Sequence, residues 1–190
     1  MDRNAKPEVL VPAIAMPRRL AEFEAENLGH AIPGDAEKVR FTVGIAAENV
    51  AHETGGPFAA AVFDLGTDRL IAVGINAVVP SGQSLAHAEM TAFARAQYKL
   101  NAVALENCTL ASSCEPCAMC TGATLWSGVG KLICGATREM AESLGFDEGY
   151  KRPAWRKEFA ARGIEVVGPL LGDEAFAPFM LYHKNGGRIY

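Results

Sequence analysis

The sequence predicts an α/β domain with helices on both faces of one sheet. Short apolar runs alternate with segments of helical periodicity, and glycine or proline turns separate them. Hydrophobic residues make up 49% and charged residues 21% of the 190 residues, which favours a folded chain over a disordered one. This length suits one domain with a sizeable core. We expect residues 33–190 to form that domain and residues 1–32 to be an N-terminal extension.

A helix and a hairpin are expected first. Asp35 is a candidate N-cap for a helix whose apolar residues recur at helical spacing, and Gly55-Gly56 is expected to end it. Two apolar runs, 58–65 and 69–76, flank the turn Gly66-Thr67-Asp68. Strands joined by such a turn predict a β-hairpin.

The middle of the chain predicts a helix, a strand and a second helix. Ser84 is expected to cap a helix that ends near Lys99. A short strand is predicted over residues 108–112. Pro116 suits the first turn of the next helix and Gly128 its end, because proline favours helix starts and glycine favours helix ends.

The last third continues the alternation of strands and helices. A strand is predicted over residues 131–135, with a short helix after it. Residues 158–162 are expected to be helical, residues 164–171 to form the final strand, and a last helix to follow Asp173. This repeated alternation is what predicts helices on both faces of the sheet.

Composition argues against several classes of function. The 22 acidic residues outnumber the 18 basic ones without a run of like charge, so a nucleic-acid partner is not expected. The apolar stretch from Val9 to Met16 contains Pro12 and is too short to span a bilayer, so no membrane association is expected. The odd count of five cysteines, three of them close together, is untypical of a secreted disulfide framework and favours a cytoplasmic protein with a metal or redox site.

The segment Pro116-Cys117-Ala118-Met119-Cys120 predicts a metal site. Cysteines three residues apart at a helix start present both thiols on one side, where the helix N-terminus stabilises thiolates. His87 offers a neutral imidazole as a third ligand. Two cysteines and one histidine suit a zinc ion and leave the fourth tetrahedral position free, which is typical of catalytic zinc.

Glu89 follows His87 by two residues and is the candidate acid and base. Residues two apart point in nearly opposite directions in mid-helix, but a chain that is entering a helix can relax this constraint. A carboxylate beside zinc-activated water can take its proton and deliver it to a leaving group. H-x-E followed by P-C-x-x-C is the pattern of zinc-dependent nucleobase deaminases, in which the glutamate is not a ligand.

Simpler explanations exist for each fragment. Cys-x-x-Cys at a helix start also fits a thioredoxin-like redox site, and Cys114 could close a structural zinc site as a fourth ligand. A lone histidine is more often a satisfied polar residue, and a lone glutamate at a helix start is favoured by the helix dipole. The redox explanation leaves His87 and Glu89 without a role, and the structural site leaves Glu89 without one.

These motifs resemble the cytidine deaminase-like superfamily of zinc-dependent deaminases. From about Gly55 onward, the chain is similar to the bacterial guanine deaminases of that superfamily. The segments that carry the similarity are Gly55-Gly56-Pro57-Phe58, the region of Asn76, His87-Ala88-Glu89, Gly122-Ala123 with Trp126, and Gly145-Phe146-Asp147-Glu148. The resemblance implies a three-layer α/β/α fold around a five-stranded mixed sheet, and a homodimer whose C-terminal segment can swap between subunits.

The resemblance also implies how a purine is bound. Phe58 and Trp126 would sandwich the ring, although aromatic residues at such positions usually fill a core. Asn76 would hydrogen-bond the purine, although a turn residue at a strand end is an equally good explanation. Ala88 would make backbone contacts near the ring, and Tyr190 would close the pocket through the C-terminal tail.

Glu148 is implied to be a second catalytic carboxylate, which reaches the ring nitrogens or the leaving amine. Without the resemblance it is an ordinary surface acid. The basic and aromatic stretch from Tyr150 to Phe159 is expected to be a solvated face with one buried tryptophan, with a role at the substrate entrance as the alternative.

The expected function is therefore zinc-dependent hydrolytic deamination of a free purine base. The resemblance favours guanine, converted to xanthine and ammonia, with one Zn²⁺ and its bound water per subunit. The alternatives are a nucleoside deaminase acting on guanosine or cytidine, a tRNA adenosine deaminase, and a non-catalytic zinc-binding module. The acidic balance of charge counts against the tRNA enzyme, because RNA binding depends on neutralising phosphates.

Overall fold

The computed structural model describes residues 14–190, so the first thirteen residues of the predicted extension lie outside the described part. One five-stranded sheet has the order β2-β1-β3-β4-β5. Its strands are β1 (Ala59–Asp64), β2 (Leu70–Ile75), β3 (Cys108–Cys114), β4 (Lys131–Ala136) and β5 (Glu165–Val167). Strand β1 is antiparallel to both β2 and β3, whereas β3, β4 and β5 are parallel. The predicted five-stranded mixed sheet is confirmed.

Helices cover both faces of this sheet. They are α1 (Arg18–Asn27), α2 (Asp35–Ala51), α3 (Val78–Ser81), α4 (Ala88–Leu100), α5 (Ala118–Ser127), α6 (Arg138–Ser143), α7 (Trp155–Ala161) and α8 (Gly172–Lys184). Alternate residues of β1 face opposite ways: Ala59, Ala61 and Phe63 join the core beneath α2 and α8, whereas Ala60 and Val62 join the core beneath α4 and α7. The three-layer α/β/α arrangement is therefore confirmed.

Helix ends differ from several predictions. Asp35 is the first residue of α2 and Gly34 its N-cap, so the predicted cap is wrong by one position. The acidic side chain still suits the positive end of the helix dipole. Helix α2 ends at Ala51, with His52 as its C-cap, and not at Gly55-Gly56.

The helices that carry the predicted motifs also begin later than expected. His87, not Ser84, is the N-cap of α4, because residues 78–81 form the short helix α3 and the chain must turn again before α4. Cys117 is the N-cap of α5, which leaves Pro116 just outside the helix. The last strand is also shorter than predicted, since β5 covers only Glu165–Val167.

The described part of the extension packs on the domain. The backbone N–H groups of Gly29 and Ile32 donate to the carbonyls of Leu70 and Asp68, and Ala31 forms an isolated bridge with Arg69. Residues 18–32 thus lie along the hairpin. None of the helices within residues 14–190 is long and apolar enough to cross a membrane.

Candidate active site

Two helix starts converge at one edge of the sheet. His87 enters α4 in an extended conformation, and Cys117 does the same at the start of α5. The start of α4 packs so tightly on β2 that a Cβ atom on Gly74 would lie 2.2 Å from the Ala88 carbonyl oxygen. Only glycine allows that approach. At α5, the Cys120 N–H donates to Cys117 Sγ over 3.5 Å, so the cap itself is a thiol sulfur.

His87, Cys117 and Cys120 form one cluster of metal-ligating atoms. His87 Nδ1 lies 3.6 Å from Cys117 Sγ and 3.6 Å from Cys120 Sγ, and the three atoms all lie within 4.8 Å of one another. Tetrahedral zinc with ordinary Zn–S and Zn–N bonds requires an N to S separation of about 3.6 Å. The donor set and its spacing therefore fit a zinc ion.

The cluster does not form a closed four-ligand site. Cys114 Sγ contacts the Thr137 carbonyl oxygen at 3.7 Å, and within the described part of the chain it does not belong to the ligand cluster. All five cysteines are free thiols. The open side of the cluster faces a cavity of about 300 Å³ lined by His87, Cys117 and Glu89 among others. Three ligands with an open position is the arrangement of catalytic zinc.

Glu89 lies beside the ligand cluster in a buried position. The late start of α4 allows His87 and Glu89 to line the same cavity although they are two residues apart. Ser112 Oγ on β3 donates to Glu89 Oε1 over 3.1 Å. Burial raises the pKa of the Glu89 carboxyl, and the neighbouring Cys117 sulfur raises it further. A raised pKa makes this carboxylate a stronger base, which suits a group that accepts and returns a proton.

Glu148 also lines the cavity. Its carbonyl oxygen accepts the Ala118 N–H over 2.9 Å, which connects this loop to the start of α5. Burial and the nearby Cys117 sulfur raise the pKa of the Glu148 carboxyl to about 8. The structure thus brings both predicted catalytic carboxylates to one cavity.

The protonation of the ligands supports metal binding. Hydrogen bonds from Cys120 and His87 lower the pKa of the Cys117 thiol to about 4, whereas the bond to Cys117 raises the pKa of Cys120. Burial lowers the pKa of His87, but its hydrogen bond with Cys117 and the Glu89 charge raise it overall. One thiolate is therefore stable even without a metal, and a cation would stabilise the second.

Four predicted substrate contacts also line the cavity: Phe58, Asn76, Ala88 and Tyr190. Phe58 lines the cavity and also packs on the core, since its ring lies edge-on to those of Phe146 and Phe179, with ring centres 5.0 Å and 4.8 Å apart. The Tyr190 hydroxyl is buried, and within residues 14–190 it has no hydrogen-bond partner. A Cβ atom on Gly56 would lie 3.0 Å from both Asn76 Oδ1 and Tyr190 Oη, so the glycine makes room for both polar groups.

Trp126 is the predicted contact that the structure does not bring to the cavity. Its side chain is 85% exposed on the outer face of α5, so Phe58 and Trp126 do not form a sandwich within one chain. The six-residue spacing from Cys120 turns Trp126 to a different side of the helix. It does not fill the core either.

Several cavity residues were not expected from the sequence. Ser112 contacts Glu89, and Glu115 and Phe146 line the cavity with Val78, Ser84 and Asp147. Ser112 lies two residues before the end of β3. It therefore lies close in sequence to the turn of residues 115–117 that carries Cys117 (the ligand turn), and this position was a usable signal. The others depend on how distant loops meet.

Comparison with known proteins agrees with this geometry. Residues 36–136 match the family described as the cytidine and deoxycytidylate deaminase zinc-binding region. The chain belongs to this family of zinc-binding deaminases. The match covers α2 through β4 and includes His87, Glu89 and both ligand cysteines.

Individual members of the family resemble the chain over most of its length. Guanine deaminase from Bacillus subtilis is 40% identical over 142 residues, which is 75% of this chain and 89% of that protein. The structure of guanine deaminase from Nitrosomonas europaea is 38% identical, covers 94% of this chain and 100% of that chain, and has a TM-score of 0.86. A structure of NE0047 in complex with 2,6-diaminopurine is 40% identical, covers 94% and 95% of the two chains, and has a TM-score of 0.86.

Proposed function

We propose that this protein catalyses the hydrolytic deamination of a free purine base, guanine, to xanthine and ammonia. The observation that carries the proposal is the convergence of His87, Cys117 and Cys120 with Glu89 and Glu148 around one cavity. Similarity to guanine deaminases from two bacteria and to a structure with a bound diaminopurine supports the choice of base.

Glu89 is the proton carrier in this proposal. Cys117, Cys120 and His87 would hold a zinc ion, which would supply a water molecule acidic enough to act as a nucleophile at neutral pH. Glu89 takes one proton of the attacking water and passes it to a ring nitrogen of guanine. It then takes the remaining proton of the new hydroxyl group and delivers it to the amine as the carbon–nitrogen bond breaks and ammonia leaves. The hydrogen bond from Ser112 orients its carboxylate for these transfers.

Glu148 and the cavity walls orient the base. Burial raises the pKa of the Glu148 carboxyl and so favours its protonated form, which can donate a hydrogen bond to the leaving amine or a ring nitrogen. Asn76 offers both a donor and an acceptor to the purine edge. The Phe58 ring offers an apolar face to the flat base.

The closed end of the cavity favours a base over a nucleoside. Its volume of about 300 Å³ lies at the lower end of the range for small-molecule sites. Tyr190 is the last residue of the chain. The centre of its ring lies 5.9 Å from that of Phe146 and 6.4 Å from that of His87, so the C-terminal segment reaches the ligand cluster. A nucleoside would need additional room for its ribose, which a cavity closed by Tyr190 would not provide.

We also infer a homodimer in the cytoplasm. Trp126 extends from an outer face of α5 on which Gly122 has open space around it, and a large exposed aromatic residue beside small ones is typical of a subunit interface. Light scattering of the purified protein tests this, with twice the monomer mass expected. The C-terminal segment reaches the cavity of its own chain, and exchange of this segment between subunits is the alternative for the dimer.

The cysteines support the inferred location. Five free thiols suit a reducing compartment such as the cytoplasm.

Ammonia release from a panel of substrates tests the proposed activity. The panel contains guanine, guanosine, cytosine, cytidine and aminated triazines, and the zinc-loaded protein is compared with protein stripped of metal by a chelator. We expect guanine to give the highest kcat/KM and the stripped protein to be inactive. A higher kcat/KM for guanosine or cytidine contradicts the assignment to a free base. Full activity without zinc contradicts the mechanism.

A further inference from the structure

A buried lysine lies behind the ligand turn. The Lys151 side chain is only 5% exposed and forms an ion pair with Glu115, which is itself largely buried. Lys151 Nζ also donates to the Pro116 carbonyl oxygen over 3.0 Å. It lies 4.6 Å from the centre of the Trp155 ring. The stretch expected to be a solvated face with one buried tryptophan therefore contains a buried charged group as well.

Two contacts connect the loop that carries Glu148 to the turn that carries Cys117. At one end of the loop, the Glu148 carbonyl oxygen accepts the Ala118 N–H over 2.9 Å. At the other end, three residues later, Lys151 contacts Glu115 and Pro116. These two contacts therefore hold the loop of Glu148 against the turn that carries Cys117.

Several contacts fix the position of the Lys151 ammonium group. Removing an ammonium group from water is costly, and one carboxylate rarely repays that cost alone. Here the ion pair is supplemented by the Pro116 carbonyl and the Trp155 ring. Arg156 completes the cluster, 3.4 Å from Glu115 and 4.7 Å from the centre of the same ring.

We propose that Lys151 is a positioning residue that holds Glu148 against the purine by connecting its loop to the Glu115–Pro116 turn. The inference rests on the proposed function, because Glu148 is assigned there to the leaving amine. Lys151 does not itself line the cavity. In this proposal it acts through the position of Glu148.

Lys38 provides a matched control. Its side chain is 3% exposed, pairs with Asp68 at 2.7 Å, and lies 5.7 Å from the centre of the Phe63 ring. Both lysines thus combine burial, one carboxylate and one aromatic ring. Lys38 belongs to α2 and has no contact with the cavity. Replacing either lysine should cost stability, and only Lys151 should affect catalysis.

The experiment compares Lys151→Met with Lys38→Met in the zinc-loaded full chain. We expect Lys151→Met to lower kcat on guanine about 10- to 100-fold with little change in KM and with zinc retained, since a small displacement of a catalytic group has effects of this size. Lys38→Met should keep the parent kcat. Glu115→Gln should lower kcat less than Lys151→Met, and the double variant Glu115→Gln/Lys151→Met should be no worse than Lys151→Met, because both changes break one contact.

Amide hydrogen exchange of residues 145–152 gives a measurement that does not need an active enzyme. We expect faster exchange there in Lys151→Met than in the parent, and no change in Lys38→Met. Equal kcat and equal exchange in the two lysine variants would overturn the proposal. Loss of zinc from Lys151→Met would also overturn it, because it would assign Lys151 to the ligand turn alone. If no base is deaminated by the parent, the proposed function fails, while the exchange result still decides whether Lys151 holds the loop.

Discussion

Three glutamates are buried to the same degree and have different surroundings. Glu24 lies beside the hairpin, whereas Glu89 and Glu148 line the cavity. Glu24 is 5% exposed, and Glu89 and Glu148 are 6% exposed each. Glu24 forms ion pairs with Arg95 and Lys99 and accepts the Val73 N–H over 2.9 Å. Glu89 and Glu148 form no ion pair with any residue of the described chain.

The difference separates a carboxylate that stabilises the fold from two to which we assign the chemistry in our proposal. The ion pairs of Glu24 with Arg95 and Lys99 join α1 to α4 across the hairpin edge. Glu89 and Glu148 face a cavity beside thiol sulfurs, and burial raises the pKa of each carboxyl. A protein tolerates a buried carboxyl without a cationic partner where its proton has a use.

The strongest test of this contrast is Glu89→Gln. The glutamine keeps the size of the side chain and cannot carry a proton, so we expect activity to fall about 10²- to 10⁴-fold with zinc retained. Activity is measured by ammonia release and zinc by atomic absorption. Glu24→Gln is the matched control and should keep the parent activity. Full activity in Glu89→Gln would remove Glu89 from the mechanism.

Glu24→Ala should have the largest effect on stability. Removing one partner of a buried ion pair leaves the others unpaired, and a cost of about 2–3 kcal/mol is expected because Arg95 and Lys99 are each about one third exposed. Urea unfolding measures the loss. A cost below about 1 kcal/mol would place this cluster with ordinary surface ion pairs, and the contrast with the cavity would fail.

Glu148 predicts a pH dependence of stability in the metal-free protein. Its folded pKa of about 8 lies above the value of about 4.5 for an unperturbed glutamate, so the folded chain holds a proton that the unfolded chain releases. The stabilising contribution is complete below pH 4.5 and is lost as the pH rises to 8, by up to about 1 kcal/mol per pH unit. Urea unfolding of the parent and Glu148→Gln at pH 5.5 and 7.5 measures this difference. Equal pH slopes in the two proteins would show that Glu148 ionises normally.

Ser112→Ala should have the smallest effect. It removes one hydrogen bond to Glu89 and leaves the carboxylate in place, so we expect a loss of about 1 kcal/mol in transition-state stabilisation, a several-fold fall in kcat/KM. Ser113, whose Oγ accepts the Ala59 N–H over 3.0 Å, is the neighbouring control. Ser113→Ala should change stability and not kcat/KM. Equal kcat/KM in parent and Ser112→Ala would show that Glu89 needs no orientation by β3.

The sequence alone was sufficient to predict the fold class and the three residues of the candidate metal cluster. The alternation of apolar runs and helices predicted one sheet with helices on both faces, because the periodicity of side chains is a local property of each segment, and the family resemblance implied the five-stranded mixed sheet. His87 and the pair Cys117 and Cys120 were recognisable because two of the three ligands lie within one helical turn. Glu89 was recognisable by its fixed spacing from His87.

Only the tertiary structure decided the environment of these residues. Glu24 meets Arg95 and Lys99 across 71 and 75 residues of sequence, and Lys151 meets Glu115 across 36. No local spacing encodes such pairs, so the sequence did not distinguish a buried lysine from a solvated one. The outward direction of Trp126 likewise depends on which face of α5 packs on the domain. The physical reason is that burial and partners result from packing between distant segments, whereas ligand spacing and strand periodicity are properties of a single segment.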